Sequence, residues 1–93
     1  MSKFVVVCTF GAGSSLMLKL NVESALKDLG DTESTVEVSD MGSSKGKIES
    51  TTAFLCSSVL EPNLKTQITE KPVVGIKNFY SKDELASVLS KFI

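Results

Sequence analysis

The sequence predicts an α/β domain built on a four-stranded parallel sheet with strand order 2-1-3-4 and helices on both faces. Short apolar runs alternate with helix-like segments four times along the chain, and neighbouring parallel strands require right-handed helical crossovers. The 93 residues suffice for one hydrophobic core, and they contain no linker, internal repeat or low-complexity tract. We therefore predict that residues 1–93 form a single domain.

The first predicted strand is the apolar run at residues 4–8, which ends at Cys8. Residues 9–15 follow as a loop rich in glycine and hydroxyl side chains, and a helix comes after it. The core face of this helix is predicted from apolar residues at helical spacing, with a glycine at the C′ position as its end. The face is Leu18, Val22, Ala25, Leu26 and Leu29, and the glycine is Gly30.

The rest of the chain supplies three more strands. Residues 35–38 alternate between polar and apolar and predict an edge strand, whereas the apolar residues 53–56 predict a central one. Residues 59–68 contain Pro62 and have weak periodicity, so they predict a short helix or an irregular turn. Residues 72–76 form the fourth strand. Ser81 and Glu84 have the spacing of a capping box, and a final helix with Leu85, Val88, Leu89 and Phe92 on its apolar face follows.

Composition excludes several classes of function. The net charge is −1 and the basic residues are scattered, which argues against nucleic-acid binding. Histidine is absent, which removes Ser–His and Cys–His nucleophile pairs and most zinc sites. The two cysteines are far apart, as expected in a reducing cytoplasm. No apolar run is long enough for a membrane span or a signal peptide. We expect no metal and no cofactor.

In the flavodoxin-like order 2-1-3-4, ligands bind at the carboxyl ends of strands one and three, where the topology switches. Cys8 and the pair Ser57 and Ser58 fall at this point. A helix amino terminus gathers anions and lowers the pKa of a cysteine beside it. Cys8 is therefore the candidate nucleophile, and Cys56, inside an apolar run, is predicted to be core. The phosphate-binding residues, with positive φ at the two glycines, are Thr9, Phe10, Gly11, Ala12, Gly13, Ser14 and Ser15.

Two other functions can be weighed by the residues that they need. A phosphatase loop of the type C-x5-R would place arginine where this chain has Ser14, and an Asp-Pro acid loop is also missing. An FMN site would need aromatic residues around the flavin, but the chain has no tryptophan and one tyrosine. A cysteine without the loop arginine and acid suits a phosphoryl carrier better than a hydrolase. A flavodoxin-like ligand- or FMN-binding module, and a phosphatase-like enzyme without the arginine, stay as alternatives.

Several segments resemble the enzyme IIB subunits of the bacterial phosphoenolpyruvate-dependent sugar phosphotransferase system. They are residues 7–15, Met17 with Lys19, residues 56–58, and residues 74–78. The ascorbate-type group is the most similar, the galactitol-type group is close to it, and the resemblance spans nearly the whole chain.

The resemblance implies a role for Cys8 and two partner proteins. Cys8 would accept a phosphoryl group from a phosphohistidine on a IIA protein. It would then pass the group to an ascorbate-, pentitol- or hexitol-like sugar held by the membrane IIC permease. The chain would be cytoplasmic, peripheral to the inner face of the membrane through IIC, without inserting into it.

The first helix carries more apolar residues than its core face requires. Leu16 and Leu20 fall about opposite that face, with Met17 beside them. We expect these three side chains to be exposed and to form a docking patch for IIA and IIC near Cys8. The alternative is that a neighbouring loop covers them.

Overall fold

A computed structural model describes residues 2–8, 12–40 and 44–92 of the chain. The strands within these ranges form one parallel sheet in the order β2-β1-β3-β4, so the predicted topology is confirmed. The elements in chain order are β1 (Lys3–Cys8), α1 (Ala12–Asp28), β2 (Thr35–Asp40), a 3₁₀ turn (Lys45–Lys47), β3 (Ala53–Ser57), α2 (Glu61–Gln67), β4 (Val73–Ile76) and α3 (Lys82–Leu89).

The two central strands are buried on both faces. Residues 4–7 of β1 and 53–56 of β3 are all buried, because helices cover both sides of a parallel sheet and leave no polar face. The edge strand β2 buries Val36 and Ser39. It continues to Asp40, beyond the predicted end at residue 38, and pairs with β1 along its whole length.

Alternate residues of β1 point into two separate hydrophobic clusters. Phe4 and Val6 pack with the buried residues of α1 and α3, whereas Val5 and Val7 pack with Leu64 of α2 and with Phe54 and Cys56 of β3. The prediction of helices on both faces of the sheet is therefore confirmed.

The first helix ends at the predicted glycine. Gly30 has φ of 84°, its N–H donates to Lys27 O at 3.0 Å, and the N–H of Asp31 donates to Leu26 O at 2.9 Å. This pair of hydrogen bonds is a Schellman motif. The prediction that Leu29 belongs to the core face is wrong, since its side chain is exposed. The helix ends at Asp28, so Leu29 lies in the turn that leaves it.

Residues 59–68, which are predicted to form a short helix or an irregular turn, contain the two-turn helix α2. Pro62 occupies its second position, where a backbone N–H would have no partner within the helix. Leu64 and the following Ile68 are buried against the sheet. Proline is therefore compatible with the helix because of its place at the start.

The last helix begins where the sequence predicts. Ser81 is its N-cap, and its hydroxyl accepts a hydrogen bond from the N–H of Glu84 at 3.2 Å. Leu85 and Leu89 are buried, and Phe92 packs edge-on against Phe4 with 6.3 Å between ring centroids.

None of the helices in the described part of the chain has the length and apolar character that a membrane span requires.

Candidate functional site

The candidate site lies at the carboxyl edge of the sheet, where β1 and β3 end side by side. Cys8 is the last residue of β1 and pairs in register with Asp40, the last residue of β2. Ser57 ends β3 and pairs in register with Ile76, which ends β4. The strand order switches between β1 and β3, so Cys8 and Ser57 occupy the predicted switch point. Ligands of doubly wound folds bind in this position.

The helix after Cys8 begins earlier than the sequence predicts. Ala12 is its first residue, so residues 12–15 form the first turn of α1 and not a loop. A helical backbone has negative φ, and the positive φ predicted at Gly13 is therefore wrong. Thr9, Phe10 and Gly11 lie outside the described residues, as do the side chains of Cys8 and of residues 12–15.

This early start brings the amino end of α1 close to Cys8 along the chain. The first N–H groups of an α-helix have no partner within the helix and carry its positive dipole end. Residues 9–11 alone separate these groups from the last residue of β1. The arrangement can hold an anion such as a phosphoryl group with backbone N–H groups.

The turn after β3 forms the neighbouring part of the edge. The N–H of Leu60 donates to Ser57 O at 3.0 Å and to Ser57 Oγ at 3.3 Å, while the N–H of Ser58 donates to Ile76 O at 3.1 Å. The Ser57 hydroxyl thus serves as an acceptor within the turn. These bonds fix residues 57–60 against the end of β4.

A close backbone approach, which the sequence reasoning missed, supports this turn. A Cβ on Gly75 would lie 2.9 Å from the Cα of Ser58 and 2.8 Å from Oε1 of Glu61. The other carboxylate oxygen of Glu61 pairs with Lys65 Nζ at 3.1 Å. A glycine within a strand is a sequence signal for such an approach. The close approach of Ser58 and Glu61 explains why the fourth strand contains a glycine at residue 75.

The second cysteine is part of the core, as predicted. Cys56 is fully buried, and its Sγ lies 3.8 Å from Val74 O. Burial, assisted by the negative charge of Glu61, raises the pKa of the Cys56 thiol to about 12. A thiol of this kind stays protonated at neutral pH and is a poor nucleophile.

Exposed apolar side chains lie on α1 and in the segments that follow β3 and β4. Leu16, Met17 and Leu20 on α1 are 48%, 41% and 52% exposed, which confirms that they lie off the core face. Two other exposed apolar residues were not predicted from the sequence. Val59, in the turn after β3, is 86% exposed, and Tyr80, after β4, is 69% exposed. The sequence signal for such a residue is an apolar side chain within a polar turn. This signal is weak because exposed apolar residues are common on protein surfaces.

The predicted capping box at α3 is formed only in part. Ser81 Oγ accepts from the N–H of Glu84, but the Glu84 carboxylate accepts from the N–H groups of Lys77 and Asn78, at 2.8 and 3.0 Å. The N–H of Ser81, the partner expected for this carboxylate, donates instead to Asn78 O at 3.1 Å. The chain after β4 folds back over the start of α3 and brings two N–H groups to Glu84.

Comparison with known proteins gives two concordant results. A family model described as the lactose/cellobiose-specific IIB subunit of the PTS system matches residues 3–91. The chain is also 33% identical, over 93 residues, to the ascorbate-specific PTS system EIIB component of Mycoplasma pneumoniae. This similarity covers 96% of the chain and 92% of the relative.

Proposed function

Because the chain belongs to the family of PTS IIB subunits, we propose that it carries a phosphoryl group on Cys8, between a phosphohistidine donor and a sugar. The observation that carries this proposal is the place of Cys8. It ends a central strand at the switch point, and the amino end of α1 follows after residues 9–11. The other cysteine is buried with a raised pKa and is unsuited to the role.

The proposed chemistry has two transfers. In the first, the Cys8 thiolate attacks the phosphorus of a phosphohistidine on the IIA protein, so an S–P bond forms as the N–P bond breaks and the imidazole leaves. In the second, a sugar hydroxyl held by IIC attacks the same phosphorus. An O–P bond forms, the hydroxyl proton is lost, and the thiolate is released. The chain lacks histidine, in keeping with donor and carrier on separate proteins.

We further propose that residues 9–15 bind the phosphoryl oxygens. The residues are Thr9, Phe10, Gly11, Ala12, Gly13, Ser14 and Ser15. Helical geometry at residues 12–15 supports a contact through the first N–H groups of α1, which suit a dianion. The position six after Cys8 is Ser14, so no arginine is available there to promote hydrolysis of the phosphocysteine.

The proposed partners are the IIA donor and the IIC permease, which use the carrier in turn. Both must bring their reacting groups to one sulfur, so their interfaces overlap around Cys8. The exposed side chains of Leu16, Met17 and Leu20 supply an apolar centre for a small transient interface. Under this proposal the chain works at the cytoplasmic face of the membrane through IIC.

We propose an acceptor sugar of the ascorbate, pentitol or hexitol class. The support is the resemblance of the cysteine loop to ascorbate-type IIB subunits and the similarity to the ascorbate-specific component of Mycoplasma pneumoniae. The lactose/cellobiose designation of the family model makes a disaccharide the rival acceptor. Sugar phosphorylation with ascorbate and with cellobiose, each with its matching IIC, separates the two.

The test of the carrier role is phosphoryl transfer from labelled phosphoenolpyruvate through the general phosphotransferase proteins and an ascorbate-type IIA. We expect label on Cys8, lost in Cys8→Ser and kept in the matched variant Cys56→Ser. Label that survives Cys8→Ser would overturn the assignment. Steady release of inorganic phosphate without sugar would favour the phosphatase alternative, and a flavin absorption spectrum would favour the FMN-binding one.

A further inference from the structure

In the segment between β4 and α3, residues 77–80, three side chains are exposed and that of Phe79 packs against the core. The backbone of this segment is hydrogen-bonded from two helices. From α3, Glu84 accepts the N–H of Lys77 with Oε2, at 2.8 Å, and the N–H of Asn78 with Oε1, at 3.0 Å. From α1, the side-chain amide of Asn21 donates to Phe79 O at 2.6 Å. We call residues 77–80 the edge loop.

Bonds within the edge loop complete its conformation. Asn78 Oδ1 accepts the N–H of Tyr80 at 3.0 Å, and Asn78 O accepts the N–H of Ser81 at 3.1 Å. Lys77, Asn78 and Tyr80 are nevertheless exposed, and Tyr80 is aromatic. An exposed loop with a fixed backbone is preorganised, so a partner that binds it loses less free energy in ordering it.

The edge loop lies within reach of any protein that docks over Cys8. β4 is two strands from β1, a distance of about 10 Å at the usual strand spacing of about 4.8 Å. A standard interface covers about 800 Å² of each partner, and a circular patch of that area has a radius of about 16 Å. A footprint centred on the end of β1 therefore includes the end of β4 and the start of the edge loop.

Charge favours the phosphorylated donor as the partner that uses this loop. The ammonium of Lys77 takes part in no ion pair with the residues that the structure describes. A donor that carries a phosphoryl group is more negative than the same donor after transfer. A cation at the rim of the interface attracts the loaded donor more strongly than the spent one.

We propose that Glu84 and Asn21 are positioning residues, which hold the edge loop as a preformed part of the docking surface for the phosphorylated IIA donor. The inference rests on the proposed function. Glu84 fixes the loop to α3 and Asn21 fixes it to α1, the helix that follows Cys8. Neither residue acts on the phosphoryl group itself.

The test is the rate of phosphoryl transfer to Cys8 as a function of the concentration of phosphorylated IIA. Glu84→Gln replaces one acceptor oxygen with an NH₂ group that cannot accept an N–H, and Asn21→Ala removes the bond to α1. We expect each variant to raise KM for the donor several-fold with kcat within about twofold of the wild type, the pattern of lost uniform binding. Lys77→Met should also raise this KM.

Asp83→Asn is the matched control for Glu84→Gln. It removes the same charge from the same first turn of α3, where the Asp83 side chain is exposed and makes no hydrogen bond to the described part of the chain. We expect the wild-type KM for this variant. Amide hydrogen exchange of Lys77 and Asn78 should accelerate in Glu84→Gln and not in Asp83→Asn.

The possible results separate this inference from the proposed function. A wild-type chain that takes no label from the donor overturns the proposed function and the docking role together. A labelled wild type with unchanged donor KM in both Glu84→Gln and Asn21→Ala overturns the inference alone. An equal rise of KM in Asp83→Asn, or slower alkylation of Cys8 in Glu84→Gln, also overturns it, because the effect would then arise from charge or from the cysteine loop.

Discussion

Gly75 and Glu61 approach so closely that a methyl group on Gly75 would lie 2.8 Å from the Glu61 carboxylate. The same methyl group would lie 2.9 Å from the Cα of Ser58. The carboxylate ends a flexible side chain and can move, whereas Ser58 is held by its hydrogen bond to Ile76. A side chain at residue 75 would therefore push the turn at residues 57–60 away from β4.

We therefore expect Gly75→Ala to lower the free energy of unfolding by about 1–3 kcal/mol, the usual cost of overpacking. Gly46→Ala is the control, because a Cβ at Gly46 meets nothing within 4 Å. It should change stability by less than about 0.5 kcal/mol. Urea denaturation measures both, and a Gly75→Ala protein as stable as the wild type would contradict the close packing of this turn.

Stability should fall at alkaline pH because of Cys56. Its pKa is raised from the ordinary value of 9.0 to about 12, chiefly by burial. The unfolded chain therefore loses this proton at a lower pH than the folded chain. The contribution is complete below pH 9 and is lost as pH rises towards about 12. Cys56→Ala leaves a small cavity, which lowers stability below pH 9, and the variant should lack this alkaline fall.

The comparison requires unfolding measurements on both proteins from pH 7 to pH 11. The other groups that titrate in this range are common to the two proteins, so the difference between their stabilities isolates Cys56. We expect that difference to shrink above pH 9. A constant difference would mean that the Cys56 thiol is accessible to water.

Leu16 and Leu20 should matter for docking and not for folding. Both side chains are about half exposed, so changing the two together to serine should alter stability by about 0.5 kcal/mol or less per site. We expect a several-fold higher KM for phosphorylated IIA and weaker sugar phosphorylation with IIC. Alkylation of Cys8 should proceed at the wild-type rate.

Leu29→Ser is the control for this pair. Leu29 is an exposed leucine that follows the opposite end of α1, about 25 Å from the start of the helix at a rise of about 1.5 Å per residue. It should leave the donor KM unchanged. An equal effect of Leu29→Ser would point to general hydrophobicity and not to a defined patch.

The ion pairs of Glu37 should make the free energy of unfolding depend on salt and on pH in the acidic range. Hydrogen bonds from Lys47 and from Lys3, the latter at 3.1 Å, lower the pKa of this carboxyl group below 4.5. Its contribution is present above pH 4.5 and is lost as pH falls through the lowered value. Exposed ion pairs contribute at most about 1 kcal/mol, and salt screens them.

Unfolding of the wild type and of Glu37→Gln at pH 3 to 6 checks this expectation. The advantage of the wild type should shrink as the pH falls below 4.5 and should be smaller in 1 M salt. Glu49→Gln removes one carboxylate at an exposed position outside this network and is the control for the change in net charge. A pH-independent difference between wild type and Glu37→Gln would mean that the ion pairs do not stabilise the fold.

The pattern of apolar residues along the chain predicts the order of the strands and the presence of the helices. The apolar runs that end at Cys8 and Cys56 predicted the two central strands, because a parallel sheet buries both faces of such strands. The end of α1 at Gly30 and the N-cap of α3 at Ser81 are also predicted from the sequence. Both depend on interactions within one helical turn: Gly30 adopts the left-handed conformation, and the Ser81 hydroxyl caps the helix. The place of Cys8 at the switch point followed from the strand order alone.

The contacts between segments distant in sequence depend on tertiary packing, which local patterns do not predict. The partner of Glu84 is the chain after β4 and not its own helix start, and Gly75 is needed because Ser58 and Glu61 pack against it. The start of α1 at Ala12 and the exposure of Leu29 also differ from what the spacing of apolar residues predicts. Periodicity records which face of an element is buried, whereas the approach of separate elements depends on how their surfaces pack together in three dimensions.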